Sequence, residues 1–116
     1  MSKVFVVQQP ARYDRVAGGF VPKYDLTPAT KFGELVYLLE PGNVRADRVT
    51  QAMVSIRRGL LAMTADDYIL PAGDPVAIMM VAAAVASLGS DVRLLKWDGR
   101  TKEYEPYTIP AERRDA

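Results

Sequence analysis

Between Glu34 and Trp97 the chain alternates short apolar runs with stretches of helical periodicity, and this alternation limits the fold more than any other feature. Glu34-Leu35-Val36-Tyr37-Leu38-Leu39 is almost wholly apolar, as expected of a strand covered on both faces. Val49, Met53, Ile56, Leu60 and Met63 then recur at steps of three and four, predicting a helix that begins at Val44 or Asp47 and ends at Met63. Tyr68-Ile69-Leu70 reads as a second strand. Asp74-Pro75 opens a second helix, with Asp74 as N-cap and Pro75 in the first turn, and Leu88-Gly89 closes it. Val92 to Trp97 reads as a third strand, Asp98-Gly99-Arg100-Thr101 as a turn, and Glu103 to Ile109 as an antiparallel return. Strands alternating with helices imply parallel pairing through right-handed crossovers. The expected fold is therefore α/β: a small mixed sheet with a central β-α-β-α-β unit whose three strands lie side by side, ending in a C-terminal β-hairpin.

The ends are less regular. Lys3 to Val7 is a β-branched run and reads as an N-terminal strand. Residues 8–33 read as an irregular arm, in which Gly18-Gly19 permits a loose hairpin and Pro22 restricts any strand to an edge. Within it, Thr27-Pro28 and Gly33 bracket one or two helical turns, with Thr27 as the cap. Residues 111–116 read as a frayed tail. A length of 116 residues, 49% of them apolar, suits one packed domain spanning 1–116 rather than a disordered chain.

Composition then removes whole classes of chemistry. The chain has no cysteine and no histidine, which excludes disulfide frameworks, zinc fingers, thiol nucleophiles, Ser-His-Asp triads and histidine switches. Lysine and arginine total 15 against 14 acids, so no large positive excess marks a polynucleotide-coating surface. Ser55, Ser87 and Ser90 have no histidine and no SxxK lysine to activate them, and Lys96 and Lys102 flank a turn. The longest apolar segment, Val76 to Leu88, falls well short of the roughly 20 residues that span a bilayer. With no leader-like N-terminus, the expected location is the cytoplasm.

In open α/β sheets, ligands bind outside the carboxyl ends of the parallel strands. Glu40, Asp74 and Asp98 follow the three strands of the central unit, whereas Asp66 and Asp67 precede theirs and belong to the opposite end. Three carboxylates at one end suit Mg²⁺, but each has a plainer role as helix cap, turn residue or solvated acid, so no metal site and no cofactor is assigned. Glu40, Gly42, Asn43 and Arg45 before the first helix, and Gly73 with Asp74 before the second, are the candidate ligand-binding residues; helix N-termini attract anions, and the first helix is the better anion site because Asp74 opposes a phosphate at the second. Neither loop matches a phosphate-binding glycine motif. Arg45, Arg48, Arg57 and Arg58, with Tyr13, Tyr24, Tyr104 and Tyr107 as stacking surfaces, are the residues a nucleic-acid reading would use.

The second helix carries a surplus of apolar residues. Val76, Ile78, Met79, Met80, Val81, Val85 and Leu88, with alanine at 77, 82, 83, 84 and 86, leave it no polar face. A helix apolar all round is buried all round, yet a domain of this size has little material to cover both sides. Either the arm folds over it or a second subunit does, with Met79, Met80, Phe20 and Val21 as candidate interface residues.

Asp25-Leu26-Thr27-Pro28-Ala29, Leu70-Pro71-Ala72-Gly73-Asp74-Pro75 and Leu94-Leu95-Lys96-Trp97-Asp98 resemble small uncharacterised proteins of bacteriophages and other bacterial mobile elements. The resemblance implies no catalytic residue. It implies a protein that acts by binding host or phage proteins. The expectation is a non-enzymatic protein-interaction or assembly module that self-associates or binds a protein partner, without membrane contact. The alternatives are a small nucleotide-, phosphate- or Mg-binding enzyme using the strand ends, and a nucleic-acid-binding protein.

Overall fold

The computed structural model describes residues 2–111. β1 (Lys3–Gln8) is followed by a hairpin of β2 (Ala11–Asp14) and β3 (Gly19–Pro22), then a 3-10 helix over Thr27–Phe32. Next come β4 (Glu34–Leu39), a 3-10 turn at Ala46–Arg48, α1 (Val49–Gly59), β5 (Tyr68–Leu70), α2 (Pro75–Ala86), β6 (Val92–Asp98) and β7 (Glu103–Ile109). The frayed-tail expectation for 112–116 lies outside the described residues.

The main sheet has the order β4-β1-β5-β6-β7, parallel from β4 through β6, with β7 antiparallel to β6. The three strands of the central unit do run the same way, but they are not side by side. β1 lies between β4 and β5, pairing Val4 with both Leu35 and Tyr68. Its near-complete burial supplies the reason: Val4, Phe5, Val6 and Val7 are each at most 1% exposed, and a strand with no polar face is most stable in the middle of a sheet.

This order fixes where the connections lie. β4 to β5 and β5 to β6 run in one direction across the sheet, so right-handed crossovers put α1 and α2 on one face. β1 to β4 runs the other way and crosses on the opposite face. The core divides accordingly. Phe5, Val7 and Ile69 pack against Ile56 of α1, Leu60 just after it, and Ala77, Val81 and Val85 of α2. Val4, Val6, Leu70 and Leu95 pack against Leu26 and Ala29 around the 3-10 helix. Burying each of the larger side chains contributes about 1.5–3 kcal/mol.

The segment 8–33 is thus not an irregular cover for α2. It builds a two-stranded hairpin, whose Phe20 ring lies beside Gly42, and a 3-10 helix on the far side of the sheet. The hairpin pairs Tyr13 with Phe20 and turns through Asp14, whose carboxylate accepts from the Val16 and Ala17 N–H groups, with Gly18 at φ +74°. Asp25, rather than Thr27, ties the start of the 3-10 helix: its Oδ1 accepts from the Thr27 N–H at 2.9 Å and the Thr27 hydroxyl at 2.5 Å. These bonds, the hydroxyl's first, hold the Asp25 carboxyl below its ordinary pKa. α1 is shorter than its periodicity suggests: Ala46–Arg48 form a 3-10 turn before it, and it ends at Gly59, which lies so close to β4 that a Cβ there would stand 2.6 Å from Leu38 Cδ2.

Candidate functional site

β1 exits the sheet toward one face, while both its neighbours, β4 and β5, exit toward the other. This divergence opens a crevice beyond the carboxyl ends of the strands, the position where open α/β sheets hold ligands. A cleft of about 1050 Å³ lies there. Its floor is the Gln8 and Leu70-Pro71-Ala72-Gly73 strand ends, and its walls include Tyr24, Leu26, Lys96, Trp97 and Tyr104. Trp97 and Tyr104 pair across β6 and β7 and meet edge to face at 5.0 Å. Burial, followed by the charge of Asp25, pushes the Tyr104 hydroxyl above its ordinary pKa. The phenol therefore stays a hydrogen-bond donor across the neutral range.

One side chain organises the loops around this cleft, and sequence reasoning missed it. Gln8 is 2% exposed. Its Nε2 donates to the carbonyls of Glu40 at 2.8 Å and Gly42 at 2.6 Å, and its Oε1 accepts from the Asp74 N–H at 2.6 Å. A single amide, with both donors and its acceptor engaged, thus links the β4–α1 loop to the β5–α2 loop. Gly73, at φ +110°, approaches so closely that an added Cβ would fall 2.3 Å from Gln8 Oε1. Its only sequence signal is a polar residue directly after a four-residue apolar strand, which becomes informative once that strand is known to be central.

Asp74 is the expected N-cap of α2, its Oδ1 accepting from the Val76 N–H at 3.2 Å. Its Oδ2 accepts from the Val44 N–H at 2.7 Å, so the carboxylate is a second tie between the same two loops. Glu40 contributes its carbonyl to Gln8, while its side chain is exposed. Gly42, at φ +112°, carries the Phe20 ring against it; a Cβ would stand 3.2 Å from that ring. Asn43 is exposed at the cleft rim, and Arg45 is turned into an exposed ion pair with Asp47 at 3.2 Å. Asp98 holds the β6–β7 turn through the Arg100 and Thr101 N–H groups. Among the described residues, no group of three or more acids comes together in a way that suits a metal ion. Asp67, at the opposite end as expected, is buried and accepts from the Lys3 and Thr64 N–H groups.

The remaining candidates separate. Met80 is not available to a partner. It is 8% exposed and belongs to the core between α2 and the sheet, because it shares a helix face with Ala77, Val81 and Ala84. Met79, one position earlier, is 69% exposed. Phe20 is half-exposed and Val21 half-buried, and both lie on the hairpin, away from α2. The nucleic-acid set is not gathered either. The arginines flank or lie on α1, on the helical face of the sheet, whereas Tyr24 and Tyr104 belong to the cleft and Tyr13 to the hairpin.

Among the described residues, no helix is long and apolar enough to cross a membrane. Searches of curated proteins and of solved structures return no match. A family model does match, over residues 2–111, the whole of the described chain, in agreement with the phage resemblance of its motifs. The chain belongs to the Phage Pam3 gp32-like protein family.

Proposed function

We propose that this member of a phage protein family is a non-catalytic assembly module that pairs with a second copy of itself through α2. The observation carrying this reading is the outer face of α2: Val76 and Met79 are 48% and 69% exposed, Ala82, Ala83 and Ala86 are exposed, and no charged residue occurs between Asp74 and Asp91. An uncharged helix face offers nothing to a charged partner but is complementary to itself across a two-fold axis, where alanines let two backbones come close. Covering it returns about 25 cal/mol per Å² of apolar surface removed from water. The groups at the strand ends best suited to chemistry, Gln8 and Asp74, are instead used to hold loops together. Light scattering at increasing concentration is expected to report a dimer. Met79→Glu combined with Ala83→Glu, both at exposed positions, is expected to give a folded monomer. A strictly monomeric unchanged protein overturns the reading.

A second reading has its own observation, the aromatic-walled cleft where β1 and β5 diverge. Trp97, Tyr104 and Tyr24, with Lys96 and Asp25, suit a planar, polar small molecule stacked between rings. A thermal-shift series with millimolar nucleosides and nucleotides tests it. A bound ligand raises the melting temperature by mass action, and Trp97→Ala is expected to erase the rise. No shift with any of them retires this reading.

A further inference from the structure

β4 is one of the two edges of the main sheet, and the two edges are built differently. β7 carries Pro106 and the acids Glu103 and Glu105, devices that discourage further strand pairing. β4, Glu34-Leu35-Val36-Tyr37-Leu38-Leu39, has no proline and no lysine. The Glu34 N–H donates toward β1, to the Ser2 carbonyl at 3.3 Å. Strand alternation therefore turns the main-chain N–H and C=O groups of Leu35 and Tyr37 outward, and among the described residues no hydrogen bond reaches them there.

A groove runs along each side of this edge. On the helical side, about 670 Å³ lies between Tyr37–Glu40 and Arg48, Gln51 and Ser55 of the α1 region. On the other side, about 480 Å³ lies between Leu35 and Tyr37 and the segment carrying Pro22, Leu26 and Thr30. A strand added to an edge sends its side chains alternately to the two faces, so two flanking grooves are what an incoming strand requires. They differ in chemistry. Residues 44–63 hold four arginines and one aspartate in a chain whose net charge is only +1, and α1 itself has no acid. Arg48, Gln51, Ser55 and Arg58 follow one another at helical steps of three and four along one stripe.

We infer that the β4 edge binds an extended segment of a partner protein, adding it as a sixth strand, with acidic side chains at alternate positions facing the arginine-bearing stripe of α1. A second copy of this chain is the poorer occupant. Antiparallel β4–β4 pairing about an axis perpendicular to the sheet sets both arginine stripes on one face, converging on the dyad, and β4 brings only Glu34 as an acid. The inference goes beyond self-association and uses a surface separate from α2, which packs against β1 and α1.

The test is fluorescence anisotropy with two labelled octapeptides, one alternating glutamate with valine and one alternating lysine with valine. The expected result is binding of the glutamate peptide only, weakening as salt is added. Tyr37→Pro deletes an N–H that points out of the sheet, so β1 pairing is kept while the edge is blocked. Arg48→Glu with Arg58→Glu changes only exposed side chains. Each variant is expected to weaken binding about tenfold or more, equivalent to about 1.4 kcal/mol. The inference is overturned if neither peptide binds, if both bind equally, if either folded variant binds as before, or if light scattering finds a dimer that Tyr37→Pro dissolves. The Met79→Glu, Ala83→Glu protein is expected to bind the glutamate peptide normally, so this result and the α2 result stand or fall separately.

Discussion

Gly33→Ala is expected to be among the most destabilising single methyl additions in this protein, at about 3 kcal/mol or more. Gly33 has φ +153°, and a Cβ there would fall 2.4 Å from the Ser2 carbonyl oxygen and 2.9 Å from the Lys3 nitrogen. Those are backbone atoms of the chain entering β1, so no side chain can swing aside. Backbone strain of this kind costs about 1–3 kcal/mol, and forced overlap in a packed region about as much again. Gly18→Ala is the internal control: its φ is +74°, but nothing lies within 4 Å of the added carbon, so only the left-handed conformation is penalised, at about 1–2 kcal/mol. Thermal unfolding checks both. At several degrees of melting temperature per kcal/mol, Gly33→Ala is expected to fall by roughly 10 °C or more and Gly18→Ala by clearly less. Equal losses refute the close-approach account.

Gln8→Leu is expected to cost about 2–3 kcal/mol although it keeps size and adds hydrophobicity. The change leaves the Glu40 and Gly42 carbonyls and the Asp74 N–H without their shared partner, and an unpaired polar group of this kind costs about 1–3 kcal/mol. The sum stays below three full penalties because loops on the cleft rim admit water once the link is gone. Urea titration followed by Trp97 fluorescence is the measurement: a lower midpoint at an unchanged slope is expected. Asp74→Ala removes a cap and one loop tie and is the natural comparison. If Gln8→Leu is as stable as the unchanged protein, the amide does not hold the two loops, and the cleft floor must be maintained by packing alone.

Both substitutions act on features that local pattern does not reveal. The periodicity of Val49, Met53, Ile56 and Leu60, the Asp74-Pro75 start of α2 and the alternating Glu103–Ile109 return were legible because each follows from sterics and hydrogen bonding within a few residues. So were the placement of Asp66 and Asp67 at the wrong end of the sheet and the role of Asp98 in a turn. Gln8 was not legible, since nothing near it in the chain indicates that its partners lie more than 30 and 60 residues away. In sequence Met80 is indistinguishable from Met79, because a helix with no polar residue gives no sign of which side faces the sheet. Only the packing of Ala77, Val81 and Ala84 against β1 and β5 separates them.

By itself, then, the sequence determined the element types from residue 34 onward, the parallel sense of the strands from 34 to 97 and the absence of thiol and imidazole chemistry, all consequences of short-range periodicity and composition. The tertiary structure alone decided that β1 is central, that the 3-10 helix of the 8–33 segment lies opposite α2, and that β4 is an open edge beside an arginine stripe. Strand order and facing depend on contacts between residues far apart in the chain. Those contacts are chosen by whichever arrangement buries Val4 to Val7 on both sides, a choice that no local window of sequence contains.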